Sequence, residues 1–420
     1  MIKQIKKGSY KISRVAVLSC LIATTVSITN GVAVKALDVN NTTVTTATNI
    51  TNTNAKHEFL IDETSKSYDD INKVGKVANL KFKVPDFLPE GCKLGGFHLL
   101  KLSDQDNSLK IFFDSKDKEG TNFLFQVSEK DPIDVIKKFE AESNGHFQDA
   151  KLDTKEESMK LEGIDGSNVT LTATFSPKKM EDGVFTEAYT ETNKYFIWKN
   201  EGLWYGINYN SVFTNSKNKS KQWSNLSQDD IGKIAKSIKY PGEVKSVSYS
   251  VPEREVSTEI GVMSIYDKED LEKASKILGF KPKLPLKINE DIKITGAGVG
   301  IAGDSDIKNN KINYEINNFY SNKNGSITFN QGKTSRYYED IKKNGYFTTD
   351  STENNKPKQI KAEKLNINNN EVFKYEETDY GYSLTYEWKE NDIYYSVTFF
   401  DKTENSDEII KEFVNSKPIN

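Results

Sequence analysis

The sequence predicts an α+β fold in two tandem copies, each a curved antiparallel sheet with flanking helices. Three observations carry this expectation. The segment Asp70-Ile71-Asn72-Lys73-Val74-Gly75-Lys76-Val77, continuing through Leu80-Lys81-Phe82-Lys83-Val84 to Pro85, aligns without a gap on a later one. That later segment is Asp270-Leu271-Glu272-Lys273-Ala274-Ser275-Lys276-Ile277, continuing through Phe280-Lys281-Pro282-Lys283-Leu284 to Pro285. A second match joins Trp198-Lys199-Asn200-Glu201-Gly202-Leu203-Trp204-Tyr205 to Trp388-Lys389-Glu390-Asn391-Asp392-Ile393-Tyr394-Tyr395. The third observation is that period-two strands and capped helices follow one another in the same order around both matches. Self-similarity at a fixed spacing sets architecture before any chemistry is considered.

The chain opens on an expected export signal, residues 1–36. Lys3, Lys6, Lys7, Lys11 and Arg14 form a basic start without an acid, Val15 to Ile28 supply an apolar core, and Val34-Lys35-Ala36 offers small residues for cleavage. An uncleaved anchor over Val15 to Val34 is the alternative, because that run is about long enough to span a bilayer. Residues 37–66 read as a disordered spacer, since Asn, Thr, Val and Ala offer too little apolar surface to repay ordering. The first repeat domain is expected over 67–241, a linker over 242–264 and the second domain over 265–420.

Within the first domain, Ile71, Val74, Val77 and Ala78 share one helical face. A proline turn follows, Pro85-Asp86-Phe87-Leu88-Pro89-Glu90-Gly91, and then the strands Leu109–Phe113 and Asn122–Val127. A mid-domain helix is expected over Pro132 to Glu142. The alternation Val169-Thr170-Leu171-Thr172-Ala173-Thr174-Phe175 reads as a half-buried antiparallel strand. The tryptophan hairpin turns at Asn200-Glu201-Gly202. A helix capped by Ser227, with Ile231, Ile234, Ala235 and Ile238 as its stripe, ends the unit.

The second domain repeats this order. Asp267 with Asp270 caps the opening helix, Leu271, Ala274, Ile277 and Leu278 form its stripe, and Lys283-Leu284-Pro285-Leu286 is the turn. Strands follow at Lys311–Ile316 and Ser326–Phe329, then a helix over Tyr337 to Lys343. The strand Tyr382–Trp388 leads into the hairpin turning at Glu390-Asn391-Asp392. Asn405 with Glu408 is the expected cap of a last helix carrying Ile409, Ile410 and Phe413.

The residues Val84-Pro85-Asp86-Phe87-Leu88-Pro89-Glu90-Gly91, Trp198 through Tyr209, and Leu226-Ser227-Gln228-Asp229-Asp230-Ile231 with Ile234-Ala235-Lys236-Ser237-Ile238 resemble a known family. It is the domain of unknown function carried by exported proteins of Gram-positive bacteria, often as the outer, C-terminal part of membrane anti-sigma factors. The second half keeps the hairpin and last helix but shows Leu286-Lys287-Ile288-Asn289 where the second proline and glycine would stand. The resemblance implies an outer sensory or binding module, distantly like lipoprotein carriers that hold an apolar ligand. A sigma-factor clasp is missing from the pattern: only about 14 residues precede the apolar run, with no histidine or cysteine among them.

Composition narrows the function. Six of the 58 basic residues fall in the expected signal, leaving 52 against 61 acids and a formal charge of −9 for the mature chain. Such a chain is a poor nucleic-acid binder, because that affinity depends on neutralising phosphates. Removal of the signal takes Cys20 with it and leaves Cys92 alone, so no intramolecular disulfide is expected. Three histidines (His57, His98, His146) and one cysteine lack zinc-ligand spacing. A Cys92–His98 or Cys92–His146 catalytic pair is weaker than a buried, idle thiol.

Gly298, Gly300 and Gly303 spell a GxGxxG string, but a polar stretch follows where a phosphate-binding helix should begin. A flexible hairpin or bulged strand is the better reading. Asp104-Gln105-Asp106 and Asp304-Ser305-Asp306 lack the glycine and distal glutamate of a calcium loop. No cofactor, metal or catalytic residue is therefore assigned.

Half-exposed aromatics of the hairpins, Trp204, Tyr205, Tyr394 and Tyr395, are the candidate ligand-binding residues, with Trp198 and Trp388 assigned to the core. The expected function is a secreted or cell-surface, non-enzymatic binding or sensory module. Its partner would be an unknown protein or peptide, a wall fragment or a small apolar ligand, with membrane contact only if the signal stays uncleaved. The alternatives are a membrane-anchored regulatory partner and a hydrolase of cell wall or polysaccharide using paired acids.

Overall fold

The computed structural model describes residues 57–101, 107–115, 122–179, 185–215, 217, 219–249, 262–305, 311–322, 325–349, 357–378 and 381–419. The expected signal and residues 37–56 of the expected spacer lie outside them. The fold is α+β, mostly antiparallel sheet with a few helices. The chain divides into two compact units: the first runs from Glu63 to Arg254, and the second from Glu255 to Asn420 together with Phe59–Asp62.

The first unit begins as a meander of β1 (Ser65–Tyr68), β2 (Cys92–Lys101), β3 (Asn107–Ser115) and β4 (Phe123–Ser128). Between β1 and β2 lies α1 (Ile71–Ala78), whose Asn72 N–H donates to the Asp70 carboxylate at 2.8 Å. Its buried side is Val74, Val77 and Ala78, as the spacing predicts. After β4 comes α2 (Pro132–Lys138). Asp131 accepts the Ile133 N–H at 2.8 Å, and Pro132 occupies the first turn, where a missing N–H costs nothing.

The helix continues through one π-helical turn, Phe139–Ser143, and delivers the chain to the far edge of the sheet. There β5 (Ala150–Leu161), β6 (Ile164–Phe175), β7 (Tyr189–Asn200) and β8 (Leu203–Asn215) step back inward until β8 pairs with β4. The order is β1-β2-β3-β4-β8-β7-β6-β5, with short β9 (Ser220–Asn225) on β8. The β7–β8 turn needs two left-handed residues, supplied by Glu201 (φ 48°) and Gly202 (φ 86°). Ser227 Oγ then caps α3 (Gln228–Lys236) through the Asp230 N–H at 3.1 Å, with Ile231, Ile234 and Ala235 buried.

The second unit contains β10 (Met263–Ser264), α4 (Lys268–Leu278), β11 (Lys293–Ile301), β12 (Tyr314–Asn322) and β13 (Gly325–Gly332). Then come α5 (Tyr338–Asn344) and a separate hairpin of β14 (Tyr346–Thr349) and β15 (Lys358–Lys361). The chain returns through β16 (Glu363–Ile367), β17 (Asn370–Glu377), β18 (Ser383–Glu390) and β19 (Ile393–Phe399) to α6 (Ser406–Asn415). The order is β10-β11-β12-β13-β19-β18-β17-β16.

Gly298 and Gly300 of the glycine string lie in β11, an antiparallel strand with a bulge between Ile294 and Gly296, and Gly303 lies in the turn after it. Gly298 has a steric reason: a Cβ there would sit 2.9 Å from the Met263 carbonyl oxygen of β10. Asp267 caps α4 as expected, accepting the Asp270 N–H at 2.9 Å. The expected side-chain cap of α6 is corrected. Asn405 is left-handed (φ 60°) and makes no side-chain cap; its carbonyl accepts the Glu408 N–H instead.

Each unit is centred on three rings. In the first, Trp198 stacks on Tyr205 at 5.5 Å, and Phe125 of β4 leans on both at 6.2 and 6.0 Å. In the second, Trp388 stacks on Tyr395 at 5.2 Å, with Phe329 of β13 at 6.0 and 6.1 Å and Phe413 of α6 closing on Phe329 at 5.2 Å. The lysine of the proline turn is pinned to the same hairpin in both units. Lys83 Nζ donates to Asn200 Oδ1 at 3.0 Å and Glu201 Oε1 at 2.5 Å, and Lys283 Nζ to Glu390 Oε2 at 2.8 Å.

The expected domain edges move. Within the spacer expected over 37–66, Ile61 is buried and Ser65–Tyr68 pair with β2, because Ile61 finds an aliphatic cluster and the strand a free edge. Within the linker expected over 242–264, the Lys245 and Ser246 N–H groups donate to Asp86, and Tyr249 packs on Phe97 and Phe113. At its other end, Val262 to Ser264 pair with β11.

Two outcomes follow for stability. Trp388→Ala removes a fully buried ring and is expected to cost about 3–5 kcal/mol, read from the shift in denaturant midpoint at constant m. Residues 63–249 expressed alone should melt in one transition, and at a higher temperature than 67–241, which lacks Tyr249 and part of β1.

Candidate functional site

Alternation along β8 and β19 separates the four candidate rings. Tyr205 and Tyr395 point inward with the tryptophans, at 1% and 7% exposure, and their assignment to a ligand site is corrected to the core. Trp204 and Tyr394 point to the opposite face and stay half-exposed. Each ring carries a lysine from the facing strand: Lys199 Nζ lies 4.4 Å from the Trp204 centroid, and Lys389 Nζ 4.6 Å from that of Tyr394. Tyr394 also donates its hydroxyl to Glu339 at 2.7 Å and packs edge-on against Tyr338. Both rings are thus engaged by their own neighbours.

A second set of aromatics, not singled out from the sequence, lies toward the outer end of β6, β7 and β8. Phe175 and Tyr189 are register partners and stack at 4.2 Å; Phe213 follows Tyr189 at 4.9 Å. All three are half-exposed. Beyond them Phe185 is 62% exposed, held by the Thr186 and Lys178 pairing at the end of the hairpin. The legible signal was register: once Val169–Phe175 is paired with the next strand, its terminal phenylalanine meets Tyr189.

Next to this row, His146 contacts Phe175 at 5.1 Å and its Nε2 lies 3.0 Å from Glu191 Oε2. Asn193 Nδ2 donates to Glu191 Oε1 at 2.8 Å, and Ser211 Oγ lies 2.6 Å from Asn193 Oδ1 and 2.8 Å from Asn208 Oδ1. The Glu191 hydrogen bond raises the His146 pKa and outweighs its partial burial. Burial pushes Glu191 up, but the hydrogen bonds from His146 and Asn193 bring it below its ordinary value. The Ser211 hydroxyl meets amide oxygens rather than the imidazole, so serine, histidine and glutamate do not form a nucleophilic relay. The network fixes side chains at the rim of the aromatic row.

Other sequence candidates resolve locally. Cys92 and His98 are six residues apart on β2, about 20 Å at strand rise, and so are not brought together. Asp304 accepts from Asn313 Nδ2 and Thr334 Oγ1, at 3.3 and 3.0 Å. Asp104 and Asp106 lie outside the described residues, and among those described no group of three potential ligands could hold a metal ion.

Two buried carboxyls have opposite electrostatics. Asp86, in the proline turn, accepts from Lys239 Nζ at 2.6 Å and from the Ser246 and Lys245 N–H groups at 2.6 and 2.8 Å. These donors hold it down at about 2. Glu387, on the α5 side of β18, meets only hydroxyls, from Ser335 and from Tyr375 at 3.5 Å. Burial lifts it to about 7, and burial also lifts Glu315 to about 6. No family model matches this sequence, and no curated protein matches it either.

These shifts give the Asp86 and Glu387 carboxyls opposite pH responses. Glu387 has a raised folded pKa, so its contribution is complete below about pH 4 and is lost as pH rises through about 7, some ~3 kcal/mol in all. Glu387→Gln should therefore flatten, and Glu315 partly preserve, the decline in melting temperature from pH 5 to 8. Asp86 has a depressed folded pKa; its stabilising contribution is present above about pH 4 and lost as pH falls through about 2. Asp86→Asn should destabilise at pH 6, with the gap from wild type closing toward pH 2 in the same melting series.

Proposed function

We propose that this chain is an exported, non-enzymatic binding protein of the bacterial cell surface or medium, built from two copies of one module. Several features support duplication: the strand orders correspond position by position, and the mid-domain helix falls at the same step. The tryptophan hairpins use the same left-handed turn, and Lys83 and Lys283 make the same kind of pin. The module's second copy adds β14 and β15.

The ligand we favour is a polymer, a peptide or a wall fragment, rather than a small apolar molecule. The space that would hold a small molecule is taken in each unit by the phenylalanine–tryptophan–tyrosine triplet and the helices. The single observation that carries a binding role is the outer aromatic row of the first unit. Phe175, Tyr189 and Phe213 stay half-exposed and Phe185 largely exposed, beside the fixed His146–Glu191 pair. An apolar row rimmed by polar groups is the usual mark of an interaction surface.

The test uses the full mature chain and purified insoluble peptidoglycan. Wild type should co-sediment with it, and Phe185→Ser combined with Tyr189→Ser should reduce the bound fraction at least tenfold without changing the circular dichroism spectrum. Equal sedimentation of the two proteins, or none by wild type, would sink the assignment of this surface to the wall.

A further inference from the structure

The second unit is completed by a piece of chain from about 200 residues earlier. Phe59-Leu60-Ile61-Asp62 lies against the entry to α4, and the Leu60 and Ile61 N–H groups both donate to the Tyr266 carbonyl, at 2.8 and 3.1 Å. Ile61 is 2% exposed and packs in one cluster with Ile265, Leu271, Ala274, Leu278 and Val299; half-buried Leu60 packs against the same cluster. From Glu63 the chain belongs to the first unit. The segment is therefore a guest: it adds an apolar pair and two backbone donors to a core whose other members lie at Ile265 and beyond.

The first unit also takes an added segment, Lys245–Tyr249, from beyond its closing helix. Two of its N–H groups reach Asp86, the Tyr249 ring lies 6.3 and 6.2 Å from Phe97 and Phe113, and its hydroxyl donates to the Pro85 carbonyl at 2.7 Å. In both units an irregular segment from outside the repeat turns two successive N–H groups onto one acceptor and lays an apolar side chain against the core. The two guests differ in sequence, so the seat reads a pair of adjacent backbone N–H groups plus an apolar side chain.

We propose that the second unit carries a peptide-binding socket whose resident occupant is Phe59–Asp62. The external ligand is a peptide with two adjacent aliphatic residues, one of them β-branched, bent as Leu60-Ile61 is so that both N–H groups face one acceptor. Its backbone N–H groups would meet the Tyr266 carbonyl, and its β-branched side chain would replace Ile61 in the cluster that holds Leu271 and Ala274. This deepens the binding reading above and rests on it, with a peptide as the ligand class and the resident segment as its competitor.

The experiment titrates a fluorescein-labelled synthetic peptide of residues 57–63 with the full mature chain and follows anisotropy. Wild type, its socket filled, should bind weakly. Leu60→Ser combined with Ile61→Ser should bind at least tenfold more tightly, and the same peptide carrying aspartate in place of Ile61 should not bind it. Circular dichroism establishes that the double variant is folded; if it is not, Leu60→Ser alone, at a half-buried position, should still bind more tightly than wild type. A folded released variant that fails to bind, or one that binds both peptides equally, overturns the socket. Peptidoglycan sedimentation run in parallel separates the two ideas: intact wall binding with no peptide binding removes the socket and leaves the binding role.

Discussion

Everything in each unit depends on one lateral join made late in the chain. The opening meander ends at β4 or β13, and the closing meander starts at the opposite edge and reaches it only through its last strand. Phe125 then faces Ile207, and Val127 faces Tyr205; Phe329 likewise faces Val397. Without this pairing there would be two separate strips of strands, each with an exposed edge and half a core. The aromatic triplet straddles the join, since its phenylalanine comes from one meander and its tryptophan and tyrosine from the other. Ring pairs of this kind contribute about 0.5–1.5 kcal/mol each beyond burial, and here that energy is placed where the long loop closure must be offset.

A second layer of contacts holds the proline turn against the closing hairpin and the residues after the last helix. Lys83 N–H donates to the Tyr205 hydroxyl, and Val84 pairs with Lys239 in both directions. In the second unit the Lys283 backbone is clasped by Gln331, which donates to its carbonyl and accepts its N–H, at 2.7 and 2.8 Å. In the first unit such contacts tie the opening turn to the residues after the last helix, and in the second Lys283 pairs with Pro418 near the chain's end. The two stretches whose sequences match, a turn and a hairpin, are therefore the places where the lysine of the one is pinned to the other.

Polar specialisation lies elsewhere. On the side of the first sheet covered by α2, Tyr195 and Ile197 meet Val169 and Leu171. At the position corresponding to Ile197, the residue before the tryptophan, the second unit has Glu387. An aliphatic packing residue in one unit is thus a buried acid in the other, whose pKa burial raises. Asp86 shows the reverse economy of charge: three donors surround it, so its ionised form is the one the fold favours.

By itself the sequence determined the α+β class, the helix stripes, most of the caps, the hairpin turn residues and the bulged strand that holds Gly298 and Gly300. All of these are short-range: a cap bonds two or three residues away, a stripe repeats every turn, and a left-handed pair fixes its own hairpin. Tertiary structure alone decided three further things. It sent Tyr205 and Tyr395 into the aromatic core and left Trp204 and Tyr394 half-buried against the smaller clusters under α2 and α5, because only strand pairing and helix packing tell what covers each side of a sheet. It moved the edges of both units, because Ile61 and Tyr249 are apolar residues in otherwise polar stretches and find their partners far along the chain. It also assembled the outer aromatic row and the His146–Glu191 pair from separate segments, whose proximity depends on register and on a loop anchored by Phe147. Local chemistry is written along the chain; a binding surface is written across strands.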